Sequence, residues 1–476
     1  VNEYYNIHSL KFNSIWRYLM GTQSLKITDT AFLTESPAKL IVANALPAIA
    51  SMMFMAFYQI VDGIMVGRRF GPEALASINL LYPVLALIVG LAVMIGTGGN
   101  VRLAVLLGAG NLKQARHTLG LITLLGTVLG LLGSLGIYLF FPWILRLLGA
   151  SGNLAINAGE YLLTVSPFFT SMILLFILEQ SVRNDGKPNL ASIVMAGAAL
   201  LNIVLDYLFL FILDYGIAGA ALATGISKSL GAGIFFAYFV TKLLKNRSGL
   251  FFASPKADRE TLMAISKNGS SEFFGSLAVG VTTWLFNYML LLFAGSLGIA
   301  AFALVQFILM IASAIFMGIG AGIQPIISYN HGAGLKERVW STMTLSFIAS
   351  LVIAAALVAM LQFTTVPLVG LFIKEHPEAL RLTVEATSWI RWSIIFMPVG
   401  ILGSICFTAI EQAVPSILIA LSRGLVLTVV GLVIFSRILN LTGIWLTPIF
   451  SEGGTALLTL ALIYSWQKKY MQQQKI

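Results

Sequence analysis

PAKLIVANALPAIASMMFMAFYQIVDGIMVG, residues 37–67, decides how this chain is built. Between Lys39 and Arg68 the stretch exceeds the roughly 20 apolar residues that a bilayer-crossing helix needs. Two features do not suit a plain anchor. Pro47 lies in the interior, where it removes a backbone hydrogen bond and is expected to bend the helix. Asp62 is a carboxylate near the far end of an oily run, and ionisable groups at membrane depth are costly and functional by default. At helical spacing Asn44, Pro47, Ser51, Met55, Tyr58 and Asp62 share one face. That face is expected to line a cavity rather than meet lipid.

Working outward, the rest of the chain is equally apolar. Of 476 residues 58% are hydrophobic and 10% charged, and the mean hydropathy is +0.91. Soluble domains carry roughly 25% charge, so the composition describes an all-α polytopic membrane protein. The formal charge of +10 does not point to nucleic acid, because Lys and Arg fall mostly in short loops and at the termini, as topology signals do. Cys406 is the only cysteine, which excludes disulfides and cysteine-rich metal sites. The first ~35 residues lack the apolar core of a signal peptide and read as a cytoplasmic leader.

Twelve apolar segments recur, near 38–66, 75–101, 117–141, 159–181, 190–213, 217–244, 262–293, 298–328, 339–372, 384–409, 415–438 and 443–467. Basic residues collect in alternate loops, as in Arg102, Lys113 and Arg116, then Arg183 and Lys187, then Lys336 and Arg338. The positive-inside rule then puts both termini in the cytoplasm of an inner-membrane protein. The polar stretch after segment six divides the chain. The expected organisation is a cytoplasmic segment 1–36, an N-lobe 37–244, a linker 245–260, a C-lobe 261–468 and a tail 469–476.

The halves resemble each other. GAGNLKQAR from Gly108 pairs with GAGLKERV from Gly332, and the run from Gly219 pairs with the run from Gly443, both 224 residues apart. Six crossings per half make the repeats parallel, and parallel repeats in transporters place the substrate site between them. The first half keeps polar residues that the second does not. Asp62 lands near Met289, flanked by Asn287; Asn202 and Asp206 land near Val426 and Val430; Thr224 lands on Pro448.

Asn202 and Asp206, four apart in LASIVMAGAALLNIVLDYLFLFIL, share a helical face. Thr224 lies among small residues that allow close helix approach. With Asp62 they make an oxygen set of two carboxylates, an amide and a hydroxyl. Such a set suits a proton or a small hard cation such as Na+, and not zinc or copper. The alternative is a hydrogen-bond network that only ties helices together.

YQIVDGIMVGRRFG (58–71), the VRNDGKP turn (182–188), NIVLDYLFLF (202–211) and GIAGAALATGIS (216–227), together with Pro47, resemble the multidrug and toxic compound extrusion (MATE) family, in its bacterial DinF-like and MepA-like branch. The second half agrees more loosely, through GAGIQPIISYNHGAG (320–334) and GIWLTPIFSE (443–452). The resemblance implies twelve transmembrane helices in two pseudo-symmetric lobes. It implies a cation site at Asp62, Asn202, Asp206 and Thr224, and a helix bend at Pro47. The C-lobe acids of other branches are not carried over; Glu272 is the one candidate there. Tyr58, Met55, Ser51, Asn44, Asn287 and Gln306 are candidate cavity residues. Glu179 and Glu411 are expected to be solvated, or paired with Arg183 or Arg423.

The leading reading is a cation-coupled antiporter, driven by H+ and/or Na+, that exports organic and often cationic or amphipathic compounds. The expected partners are a small organic substrate, a monovalent cation and the bilayer, with no cofactor, in a monomer. Alternatives are a dedicated exporter of a natural product such as a peptide–polyketide toxin precursor, and a lipid-linked precursor flippase. The flippase would want a more basic cavity than Arg391, Arg423 and Arg437 suggest. A membrane-embedded Mg-dependent transferase fits least, because no repeated Asp cluster faces a large loop.

Overall fold

A computed structural model describes residues 31–245, 248–372 and 377–472. The expected N-terminal leader and the end of the tail lie outside these. Apart from turns and the irregular stretch 248–258, the described residues are helical. Membrane-length apolar helices are α1 Pro37–Gly71, α2 Tyr82–Gly108, α3 Leu112–Leu147, α4 Gly152–Asn184, α5 Pro188–Ile212, α6 Gly216–Leu244, α7 Arg259–Gly295, α8 Leu297–Gly332 and α9 Lys336–Pro367. A tenth crossing is a helix pair, Leu380–Ile390 and Ser393–Ala409, bent by 54°; its second member is α10. Ala413–Lys468 spans 56 residues and breaks at Asn440 (φ 51°) into α11, 413–439, and α12, 441–468. Twelve crossings are thereby accounted for. Large apolar side chains such as Leu132, Tyr138, Trp143, Phe363 and Leu457 are exposed on the outside, which suits a lipid surround.

Helices run past the apolar segments because polar residues cap their ends. The Asp258 side chain accepts from the Thr261 backbone N–H at 2.8 Å at the start of α7. Thr261 N–H and O–H together hold that carboxylate below its ordinary range. Pro47 does not interrupt α1. Helical backbone continues through it, and the break in this stretch is at Gly71 (φ 81°).

The duplication is written into the backbone. Left-handed residues recur in pairs 224 apart, Gly71 with Gly295, Gly110 with Gly334 and Gly216 with Asn440. The first pair keeps the offset within α1 and α7, so the counterpart of Asp62 is Phe286, not Met289.

The halves meet along a pseudo-two-fold seam that only glycine permits. A Cβ on Gly108 would lie 2.0 Å from the Tyr329 carbonyl oxygen. A Cβ on Gly332 would lie 2.0 Å from that of Val105, the symmetric contact. Gly98 abuts Ile265 and Gly269 of α7, as Gly322 abuts Ala45 of α1. The seam closes the end of the molecule where α2 and α8 finish. Arg338 adds a strap there, donating to the carbonyls of Phe32 (3.1 Å) and Glu35 (2.5 Å) across the two halves.

Candidate functional site

Above the seam each half opens a cavity. The first-half cavity, about 560 Å³, is walled by α1, α2 and α4–α6, with Ser276 and Val279 of α7 closing one side, and its lining is mostly apolar and aromatic. Such volume and lining are typical of small-molecule sites. Tyr58 and Asp62 of α1, Asn202 of α5 and Thr224 of α6 face it, and Met55 lines it as well. Asp206 stands behind them, fully buried. The Asp62 and Asp206 carboxyls lie within hydrogen-bonding reach of one another. One oxygen of each, Oδ1, has no partner among the described residues. Two carboxylates cannot hydrogen-bond to each other without a proton between them, so this arrangement has room for one positive charge.

Asn202 links the pair to α6. In one amide orientation its Nδ2 donates to Thr224 Oγ1 at 3.3 Å. Turned over, the amide donates to Asp206 Oδ2 at 3.2 Å and accepts from the Thr224 N–H at 3.2 Å, which satisfies both its ends. The four residues read from sequence as one constellation are thus neighbours. Directly after Asp206 the helix widens into a π-turn, Leu208–Ile212, a distortion frequent at functional sites.

Three residues of this cavity escape the sequence reading. Tyr161 of α4 is buried on the same cavity wall, within the electrostatic field of Asp62, Tyr58 and Asp206; nothing in its local pattern announces it. Gln59 lines the cavity beside Tyr58. Lys228 of α6 brings a half-buried ammonium into the field of Asp62, 5.8 Å from the Tyr58 ring centroid. Lys228 was legible, since it lies four residues after Thr224 within an oily segment and so shares its face.

The predicted face of α1 divides. Asn44 is not among the residues lining the cavities described here; it is buried at the seam against Gly322 and donates to Leu40 O at 2.8 Å. Ser51 and Met55 border a smaller cavity of about 270 Å³ between the halves. Asn287 is half-buried and is not among the residues lining these three cavities. Gln306 and Glu272 do line a cavity, the second-half one of about 430 Å³. Glu179 is not solvated: it pairs with Arg183 at 2.5 Å, both buried. Glu411 meets Asn268 (3.1 Å) and Arg102 (3.7 Å) rather than Arg423. The second half also retains charge at positions of its own. Arg423 pairs with Glu452 at 2.7 Å, and Glu452 stands 224 residues after Lys228. Among the described residues no group of three or more His, Cys, Asp or Glu is placed to hold a metal ion.

Arg183 also ties three helices, donating to Ser51 of α1 (3.1 Å) and Ser192 of α5 (3.3 Å). Arg183→Met strands the Glu179 charge in a buried site, an error worth about 3–5 kcal/mol. A clear drop in the thermal unfolding midpoint of purified protein is expected. Adding Glu179→Met should recover most of it.

Two pseudo-symmetric six-helix halves, each with a cavity and closed against each other at one end, define a polytopic membrane transporter rather than an enzyme. The MatE family model matches residues 47–208 and again 273–434, one match per half. The chain belongs to that family. It is 27% identical to the multidrug export protein MepA of Staphylococcus saprophyticus, over 88% of this chain and 92% of that one. It is likewise 27% identical to MepA of Staphylococcus aureus, over 92% and 96%. In fold it resembles a MATE transporter solved with MaL6, with a TM-score of 0.88 at 22% identity over 94% and 99% of the chains. It also resembles a transporter of the MOP superfamily from Pyrococcus furiosus, with a TM-score of 0.85 at 23% identity over the same shares.

Proposed function

We propose that this chain is a cation-coupled antiporter that exports organic, often cationic or amphipathic compounds across the inner membrane, with both termini in the cytoplasm. The observation that carries the reading is the Asp62–Asp206 carboxyl pair behind the wall of a large apolar cavity, bridged by Asn202 to Thr224. The relatives named for multidrug export support the substrate class. The Met and aromatic walls, Met55, Tyr58, Phe169 and Phe176 among them, suit weakly specific binding.

A proton from outside occupies the pair and bridges the two carboxyls; Na+ is the other candidate for the same oxygens. Occupancy favours the packing of α1 against α5, narrows the cavity and lowers its affinity for substrate. Emptying the pair toward the cytoplasm restores the cavity. Coupling arises because the ion binds the two states with different affinity. Pro47 leaves α1 one backbone hydrogen bond short, which makes it the cheapest place for that helix to flex.

The test is purified protein in liposomes preloaded with a fluorescent organic cation, with pH and Na+ gradients imposed one at a time. The expected result is dye movement against an imposed proton gradient with no Na+ present. Movement that ignores both gradients overturns the coupling.

A further inference from the structure

The second-half cavity has a chemistry different from that of the first. We propose that it is a binding site for the zwitterionic end of a small organic molecule, with Arg423 taking the carboxylate and Glu272 the ammonium.

Arg423 is the starting point. It lies ten residues into α11, well inside the apolar run from Ala413, on the π-turn Ser422–Val426. Its Nε donates to Glu452 Oε1 of α12 at 2.7 Å. Its carbonyl accepts from Thr428 Oγ1 at 2.9 Å. The guanidinium is therefore held by one edge, and it lines the cavity. Among the described residues its two terminal nitrogens have no protein partner. A fork of paired N–H donors on a fixed guanidinium is the geometry that recognises a carboxylate with two parallel hydrogen bonds. Glu452 supplies the fixing through Oε1, while its Oε2, buried and without a partner among the described residues, borders the cavity as a further acceptor for an ammonium.

Glu272 stands on α7 at the mouth shared by this cavity and the smaller one at the seam. Its side-chain oxygens have no hydrogen-bond partner among the described residues, and Arg423 acts on it through space. The cavity thus displays the unengaged Glu272 carboxylate, the free Oε2 of Glu452 and one unengaged guanidinium edge. The charges of Glu272 and Arg423 are not cancelled by direct contact with each other. A ligand bearing only a cation leaves the Arg423 fork desolvated and unpaired, which costs free energy. A ligand bearing only an anion does the same to Glu272. A zwitterion satisfies both. The rest of the lining accommodates an apolar body, with Phe286, Phe302, Met317 and Met397 among hydroxyl side chains.

This reading does not depend on the coupling ion, and binding to detergent-purified protein tests it without transport. The probes are Nε-dansyl-lysine, which has a free ammonium and carboxylate; its methyl ester, a cation; and its Nα-acetyl derivative, an anion. Dansyl fluorescence reports transfer into an apolar cavity. The zwitterion should bind at least about tenfold more tightly than either derivative, as expected for charge-assisted hydrogen bonds gained or lost. Arg423→Gln should erase the preference over the ester, and Glu272→Gln the preference over the acetyl derivative. Glu272 loses no protein partner, so its variant should fold, and Arg423→Gln combined with Glu452→Gln removes the stranded acid should the single change fail to fold. Equal binding of the three probes by the unmodified protein overturns the proposal. So does discrimination that survives both substitutions.

Discussion

Asp62→Asn is expected to reduce gradient-driven export by at least about tenfold, the effect of losing as little as 1.4 kcal/mol of coupling, while leaving substrate binding within a few-fold. The side chain keeps its volume and a hydrogen-bonding oxygen but can no longer gain or lose a proton or hold a cation by charge. Asp206→Asn should behave the same way, because a proton shared between two carboxyls belongs to the pair. The double variant should be no worse than either single one, as for groups that act as a unit. Initial rates in liposomes under an imposed gradient, set beside equilibrium binding of the same dye, separate coupling from binding. Either single variant retaining full gradient-driven export would sink the mechanism. Lys228→Met is an informative companion. Lys228 is the positive charge already in the field of Asp62, so its removal should change ion-driven export while sparing the fold.

The fold was legible because membranes permit few solutions. Backbone polar groups in hydrocarbon must be satisfied within the segment, so twelve apolar runs mean twelve helices. The parallel repeat was legible from glycines at turns and at the seam, such as Gly108 and Gly332, where a side chain cannot fit. The constellation Asp62, Asn202, Asp206 and Thr224 was legible because each is a polar exception in an apolar run. Other features were not, for reasons of reach. Asn44 has the same spacing as Ser51, yet whether a helix face meets a cavity or another helix depends on what packs there, and here it is Gly322. Tyr161 is unremarkable within an amphipathic stretch; only the packing of α4 on α1 brings it to the two carboxyls. The Arg423–Glu452 pair of the second half was not legible because it does not repeat the first-half pattern. Arg423, three residues before the Val426 that replaces Asn202, finds its partner 29 residues on, in the next helix.

Gly108→Val should push the protein away from the conformation described here and open the end where α2 and α8 finish. The argument is steric. A Cβ at Gly108 would sit 2.0 Å from the Tyr329 carbonyl oxygen, against the 3.5–4.0 Å at which such atoms are in contact. The obstacle is backbone, so no rotamer change relieves it. Relief requires α2 and α8 to separate, which breaks the seam without touching either cavity. Overpacking of this kind costs about 1–3 kcal/mol, and when only one of two conformers bears the cost their ratio shifts by about 5–150-fold. Gly332→Val should act alike, because its contact with Val105 is the symmetric one. Gln324 borders the cavity between the halves and serves as the reporter. With Cys406→Ala removing the native thiol, Gln324→Cys should react with a water-soluble maleimide several-fold faster when Gly108→Val or Gly332→Val is present. Gly136→Val is the control, since nothing lies within 4 Å of a Cβ there. Its labelling rate should stay at the parent value. Equal rates in all the glycine variants would mean that the seam is not what holds this end shut.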